Sequence, residues 1–181
     1  MDLNWKLNKT EHIVQDEWID FRKVSFILPD GKEFSPFYNY SRRNFVVIIA
    51  KTKDGKYITV RQFRHGLKKV TTEFCAGGIE GSEHESALLA AKRELKEETG
   101  YISDNWKHIY TIPSNPTIAD NYAFLYYADN CEKVSNQHLD STEFLEVKEY
   151  TEDEINDLIK NNEFVQPIHL MGWLMVKKGV L

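Results

Sequence analysis

The sequence predicts a mixed α/β (α+β) fold, with a small antiparallel sheet over residues 1–42 and a larger domain over residues 43–181. Three observations predict it. Short strand-like runs lead into turn signals before Tyr40, an apolar run near residue 45 reads as a buried strand, and beyond Gly81 the apolar period changes to 3.6.

Taken in order, the N-terminal strands carry Trp18, Phe21, Val24, Phe26 and Leu28 ahead of the turn signal Pro29-Asp30-Gly31. Arg42-Arg43 precede the buried run Asn44–Ala50, and Asp54-Gly55 turns the chain into a strand from Tyr57 to Arg64. The spacing of Ala87, Leu88, Ala91 and Leu95 gives a helix with charged residues opposite, closed by Gly100. Strands follow at Trp106–Ile112, Tyr122–Tyr127 and Phe144–Val147, the first two separated by the loop Pro113-Ser114-Asn115-Pro116-Thr117. Thr151-Glu152-Asp153-Glu154 is a capping box ahead of Ile155, Leu158 and Ile159, and Pro167 opens a last amphipathic helix that ends before Gly179.

A chain of 181 residues buries roughly 70% of its unfolded surface, so it needs neither disulfides nor a structural metal to fold. The formal charge of −5 and the lack of any stretch dense in Lys and Arg argue against nucleic acid as a partner. An anionic ligand would instead need a few placed arginines or a bound cation. Cys75 and Cys131 lie far apart and fit no metal-ligand spacing, which reads as reduced thiols in a cytoplasmic protein. The N-terminus lacks the apolar core of a signal peptide, and no apolar run approaches the ~20 residues that span a bilayer, so no membrane partner is expected. The six histidines show no His-x3-His or His-Glu-x-x-His spacing.

The chemistry concentrates in Arg93-Glu94-Leu95-Lys96-Glu97-Glu98-Thr99-Gly100-Tyr101. Glu94, Glu97 and Glu98 stand at i, i+3 and i+4 and project from one side of the helix, where three like charges repel. Arg93 reaches Glu97 at i+4 but not every carboxylate oxygen, whereas a hard divalent cation can. A bare Glu-x-x-Glu-Glu is more often a solvated acidic face. Its neighbours change that reading.

The segment resembles the box of the Nudix hydrolases, Gly-x5-Glu-x7-Arg-Glu-(Ile/Leu/Val)-x-Glu-Glu-x-Gly-(Ile/Leu/Val). Glu85 lies eight residues before Arg93, and Arg93 through Gly100 match position by position, with Tyr101 at the final apolar site. Counting back from Glu85 puts the box glycine at Ile79; Gly77 is its counterpart two residues further off, and Gly81-Ser82-Glu83-His84 reads as carrying a two-residue insertion. Over about Arg43 to Lys178 the resemblance implies the Nudix α/β/α sandwich, a mixed sheet between helices. It also implies that Glu94 and Glu98 ligate two or three Mg²⁺ or Mn²⁺ ions, with the Ala76 carbonyl as an additional ligand. Glu97 assists, Arg93 orients the carboxylates, Glu85 braces the loop, and Gly100 is structural.

The box does not name the substrate. Val60-Arg61-Gln62-Phe63-Arg64 followed by Glu73-Phe74-Cys75-Ala76-Gly77 resembles the pattern of ADP-ribose and nucleotide-sugar pyrophosphatases, and Pro116 lies 16 residues after Gly100 as in the ADP-ribose subgroup. Arg64, at a strand end, can clamp a diphosphate oxygen, and Arg61, Glu73, Pro116 and Tyr40 are further substrate-binding candidates. Cys75 stands where most ADP-ribose enzymes have Pro; it reads as a small packed side chain, and it keeps GDP-mannose as an alternative substrate.

The late catalytic glutamate of the family falls in Leu139–Val147, where Glu143 aligns with a metal-contacting Glu and the usual base position falls on Ser141. Serine cannot abstract a water proton at neutral pH, which leaves Asp140 or Glu143. The reading is thus Mg²⁺-dependent hydrolysis of ADP-ribose to AMP and ribose 5-phosphate, with a binding-only ADP-ribose sensor as the rival. By the same resemblance the N-terminal sheet is exchanged in a homodimer and supplies an aromatic for adenine stacking, Trp18, Tyr38 or Tyr40 being the candidates.

Overall fold

The structure is a computed structural model that describes residues 2–80 and 86–179. Glu85 and the insertion at residues 81–84 lie outside the described residues. The chain groups into two compact units, one of the segment up to Arg43 with Pro113–Tyr122, the other of the segments starting at Asn44 and at Ala123.

In the first unit, β1 (Lys6–Gln15), β2 (Asp20–Ile27) and β3 (Glu33–Ser41) form an antiparallel sheet in that order. The turn between β2 and β3 closes through the Gly31 amide, which donates to the Leu28 carbonyl at 2.9 Å. Asp16 shapes the preceding turn, its carboxylate accepting from the amides of Trp18 and Ile19 at 2.8 and 2.9 Å. Trp5, Phe26, Phe34 and Phe37 cluster with ring centroids 5.0–6.0 Å apart.

The second unit contains a seven-stranded mixed sheet of β4 (Phe45–Thr52), β5 (Tyr57–Arg64), β6 (Lys69–Gly78), β7 (Tyr101–Ile102), β8 (Asn105–Pro113), β9 (Tyr122–Lys133) and β10 (Leu145–Tyr150). The order is β10-β5-β6-β4-β9-β7, with β8 pairing β9. β4 and β9 run parallel, and β4 is apolar at every position from Val46 to Ala50 because both of its faces are covered. Val46, Ile48 and Ala50 pack in one cluster with Ala90, Ala91 and Leu95 of α1 (Ala87–Thr99). Val47 and Ile49 pack in a second with Ile155 of α2 (Glu152–Lys160) and Trp173 of α3 (Pro167–Lys177). The sheet therefore lies between helical layers, the sandwich anticipated above. Each fully buried Ile, Leu or Phe here contributes roughly 1.5–3 kcal/mol.

The helix ends follow their signals. Ser86 caps α1, accepting from the Leu89 amide at 3.3 Å, and both hydrogen bonds of the Thr151/Glu154 capping box form at α2. α1 closes on Gly100, whose φ of 77° is left-handed and whose amide donates to the Lys96 carbonyl at 2.8 Å. Several boundaries differ from expectation: β8 runs from Asn105 to Pro113, β9 extends to Lys133, β10 runs from Leu145 to Tyr150 with Phe144 outside it, and the two-residue β7 follows Gly100. Ladder partners set these ends, since Tyr101 and Ile102 pair with Lys133 and Glu132 at the far end of β9. Among the described residues no helix is long and apolar enough to cross a membrane.

Candidate active site

Glu94 and Glu98 share the apolar face of α1 with Ala91 and Leu95, so packing the helix on the sheet draws both carboxylates inward. Their residues are 8% and 4% exposed, which excludes a solvated acidic face. The helix meets the end of β6. There Gly77 has no side chain, and a Cβ at that position would overlap the Glu94 carboxyl group. One residue earlier, the Ala76 amide donates to Glu98 Oε2 at 3.2 Å.

Burial pushes the Glu94 carboxyl up to about 7, against the opposing pull of the Arg93 guanidinium. It pushes Glu98 up to about 8; the Cys75 thiol and the Ala76 amide favour its charged form, while Glu94 and Glu143 add repulsion. Both are therefore poised near neutrality. Cys75 is itself fully buried, and burial beside Glu98 raises its thiol well above the ordinary range, so it is a packed side chain with no thiolate character.

Arg93 ties this face together. Its Nη1 donates to Glu94 Oε1 at 2.8 Å and to Glu97 Oε2 at 3.0 Å, and its Nη2 to the Gly78 carbonyl at 3.0 Å. One guanidinium thus fixes two carboxylates relative to β6. The i+4 pair with Glu97 forms as the spacing predicted.

The segment between β9 and β10 folds back over the C-terminal end of α1. The amides of Val134 and Ser135 donate to the Gly100 carbonyl, and that of His138 donates to the Glu97 carbonyl at 2.8 Å. A Cβ at Gly100 would strike the Ser135 carbonyl, so glycine is required here by contact as well as by φ. The segment brings in Glu143, half-buried, whose charge raises the Glu94 and Glu98 carboxyls. Asp140 and Ser141 are exposed, and the Asp140 amide donates to Glu143 Oε2 at 3.0 Å. The structure thus joins Glu143 to the carboxylate face, with Asp140 holding it through backbone.

The expected substrate residues are placed differently. Glu73 is fully buried and binds Arg64 through both oxygens, Nε at 2.7 Å and Nη2 at 2.8 Å, while also accepting from Thr71 Oγ1 at 2.9 Å. Arg64 is therefore a held guanidinium, with its side chain 33% exposed. Arg61 pairs with Glu146 at 3.1 Å on the neighbouring strand. Tyr40 and Pro116 belong to the first unit, where the Tyr40 amide donates to the Ile118 carbonyl at 2.8 Å in the loop that carries Pro116. Sequence reasoning gave no role to Gln137, which donates to the Glu98 carbonyl at 2.8 Å; a lone Gln in a polar loop carries no periodic or motif signal.

Two buried carboxylates on a helix, one held by an arginine beside a glycine of a sandwiched mixed sheet and the other by a backbone amide of the same strand, define a Nudix-box architecture. The sequence matches the NUDIX domain family over residues 40–169, and the chain belongs to that family as a Nudix hydrolase. It is 32% identical to the ADP-ribose pyrophosphatase of Bacillus subtilis over 94% of this chain and 92% of that protein. It is 33% identical to the methanol dehydrogenase activator of Bacillus methanolicus over 86% of this chain and 83% of that protein. Its fold matches the crystal structure of an ADP compounds hydrolase with a TM-score of 0.86 at 19% identity, over 99% of this chain and 96% of that one.

The family generally uses divalent metal ions. Among the described residues no three Asp, Glu, His or Cys side chains already converge into a cage. The donors present nevertheless fit a hard cation: Glu94 and Glu98 supply buried oxygens whose ionisation burial opposes, and the absence of a side chain at Gly77 makes room for the Glu94 carboxyl group against β6. Mg²⁺ is typically held by one or two carboxylates, with substrate phosphates and waters completing the shell.

Proposed function

We propose that the protein hydrolyses the diphosphate of ADP-ribose to AMP and ribose 5-phosphate with Mg²⁺ or Mn²⁺, two or three ions being held by Glu94, Glu98 and the Ala76 carbonyl. The observation that carries this reading is the pair of buried carboxylates, raised to about 7 and about 8, packed against Gly77 and Ala76. The names of the relatives support the substrate.

When bound, the cation neutralises charge on the diphosphate and lowers the pKa of the attacking water. The chain does the rest. Arg93 holds Glu94 and Glu97 in register, so that the carboxylates need not reorganise when substrate arrives. Glu143, steadied by the Asp140 amide, accepts the proton of the attacking water. Arg64 and Arg61 on β5, each already paired with a glutamate, donate hydrogen bonds to the diphosphate without offsetting the net −5 of the chain. Trp5, Leu7, Ile13, Val14, Phe34 and Tyr38 are exposed large apolar side chains on or beside the N-terminal sheet, which supports a homodimer. A monomeric mass by light scattering at micromolar concentration would defeat the dimer.

The test is release of AMP or GMP from a panel of ADP-ribose, GDP-mannose, NADH and a dinucleoside polyphosphate, with Mg²⁺ and with EDTA. Fast, EDTA-sensitive release of AMP from ADP-ribose is expected. Preference for GDP-mannose would move the substrate to a nucleotide sugar, and tight ADP-ribose binding without cleavage would identify a sensor.

A further inference from the structure

The last carbonyls of a helix have no partner within it. In α1 the Glu98 carbonyl is taken by Gln137 Nε2 at 2.8 Å, and the same nitrogen lies 3.4 Å from the carbonyl of Leu145, the first residue of β10. A single amide group therefore links the residue bearing the most buried carboxylate of the face to the point where the chain re-enters the sheet. The span it closes is Gln137 to Leu145, eight residues apart, and that span contains Glu143. Within it the Glu143 amide donates to the Asp140 carbonyl at 2.9 Å and the Glu143 carboxylate accepts from the Asp140 amide, so the loop is braced internally and tied at its base.

We infer that Gln137 is a positioning residue for Glu143, its bridge between the Glu98 and Leu145 carbonyls tying the loop that carries that carboxylate to the end of α1 and the start of β10. The inference rests on the reading of Glu143 as proton acceptor. Helix capping alone would not require the second contact: His138 and the Gly100 turn already serve the neighbouring carbonyls, whereas the Leu145 link acts on the loop.

The test uses the full-length chain. Gln137→Met keeps length and removes both donors; Gln137→Glu replaces it if the methionine variant does not fold. Either should lower kcat for ADP-ribose by about tenfold or more while KM stays within about threefold. Amides of residues 138–144 should exchange faster while those of α1 do not. Combined with Glu143→Gln, the change at 137 should cost nothing further, because two residues acting through one group are not additive. A kcat within about twofold of the parent, or a full extra loss in the double variant, would overturn the positioning role. A parent chain that cleaves no panel member while its Gln137 variant still loosens residues 138–144 would retire the hydrolase reading and leave the bridge standing. Unchanged exchange would remove the bridge itself.

Discussion

At position 77 a side chain and a carboxyl group compete for one space. A Cβ there would meet the far end of the Glu94 side chain, which can swing away, so Gly77→Ala should fold with a small loss of stability and a misplaced ligand. We expect kcat for ADP-ribose to fall at least about tenfold, since displacement of a reacting group by about 1 Å can cost a hundredfold. An unchanged rate, read beside an unchanged thermal midpoint, would show that Glu94 does not work from this position. The two carboxylates also set a pH dependence. Glu94 and Glu98 keep their protons up to about 7 and about 8, whereas the unfolded chain releases them near 4.5, so the folded state binds more protons over that range. Stability without metal therefore falls as pH rises. His169, pushed down to about 4 by burial, acts in the opposite direction but only below its ordinary 6.5. Melts in EDTA between pH 6.5 and 8 isolate the carboxylates: the midpoint should drop, and excess Mg²⁺ should flatten the slope. The glutamate spacing was legible in the sequence because helical periodicity alone puts Glu94 and Glu98 together. Their burial was not, since it depends on how closely β6 approaches α1, and the two-residue offset of Gly77 from the box pattern concealed its contact with Glu94.

Among the elements, α3 and β6 are joined by a polar contact inside an apolar layer. His169 Nδ1 accepts from the Phe74 amide at 3.1 Å, 3% exposed and amid Phe74, Phe164 and Trp173 packing. His169→Leu leaves that amide buried with no acceptor and should cost about 1–3 kcal/mol in urea unfolding at pH 7, while a loss below about 0.5 kcal/mol would mean that the amide finds another partner. β5 was legible from Tyr57 to Arg64 because Asp54-Gly55 marks its start and alternation carries it. The Arg64–Glu73 pair was not, because the two are not opposite one another in the β5/β6 hairpin, where Glu73 faces Val60 and Arg64 faces Lys69, and both residues carry motif positions that suggested substrate contact instead. The loop from Leu139 was read as acidic and as the carrier of Asp140 and Glu143, but its attachment was not legible; the hydrogen bonds from residues 134–138 to the end of α1 depend on where β9 stops, beside β7.

For the molecule as a whole, the two-sided burial of β4 explains why a run with no polar interruption was recognisable as the sheet centre, and the change of period at α1 identified the layer above it. Composition identified the charge problem: an acidic chain that handles a diphosphate must use local arginine and a cation. What composition and motif leave to experiment is the group linked to the nucleoside diphosphate, because that is chosen by surface shape and not by the box. In the proposed reaction Glu98, buried and raised to about 8, holds the cation on which hydrolysis depends. That role is tested most directly by the rate of AMP release from ADP-ribose with Mg²⁺ for the parent chain and for Glu98→Gln, which keeps the shape and removes the charge. A fall of about a hundredfold or more is expected for loss of a metal ligand, and a rate within about threefold of the parent would contradict it.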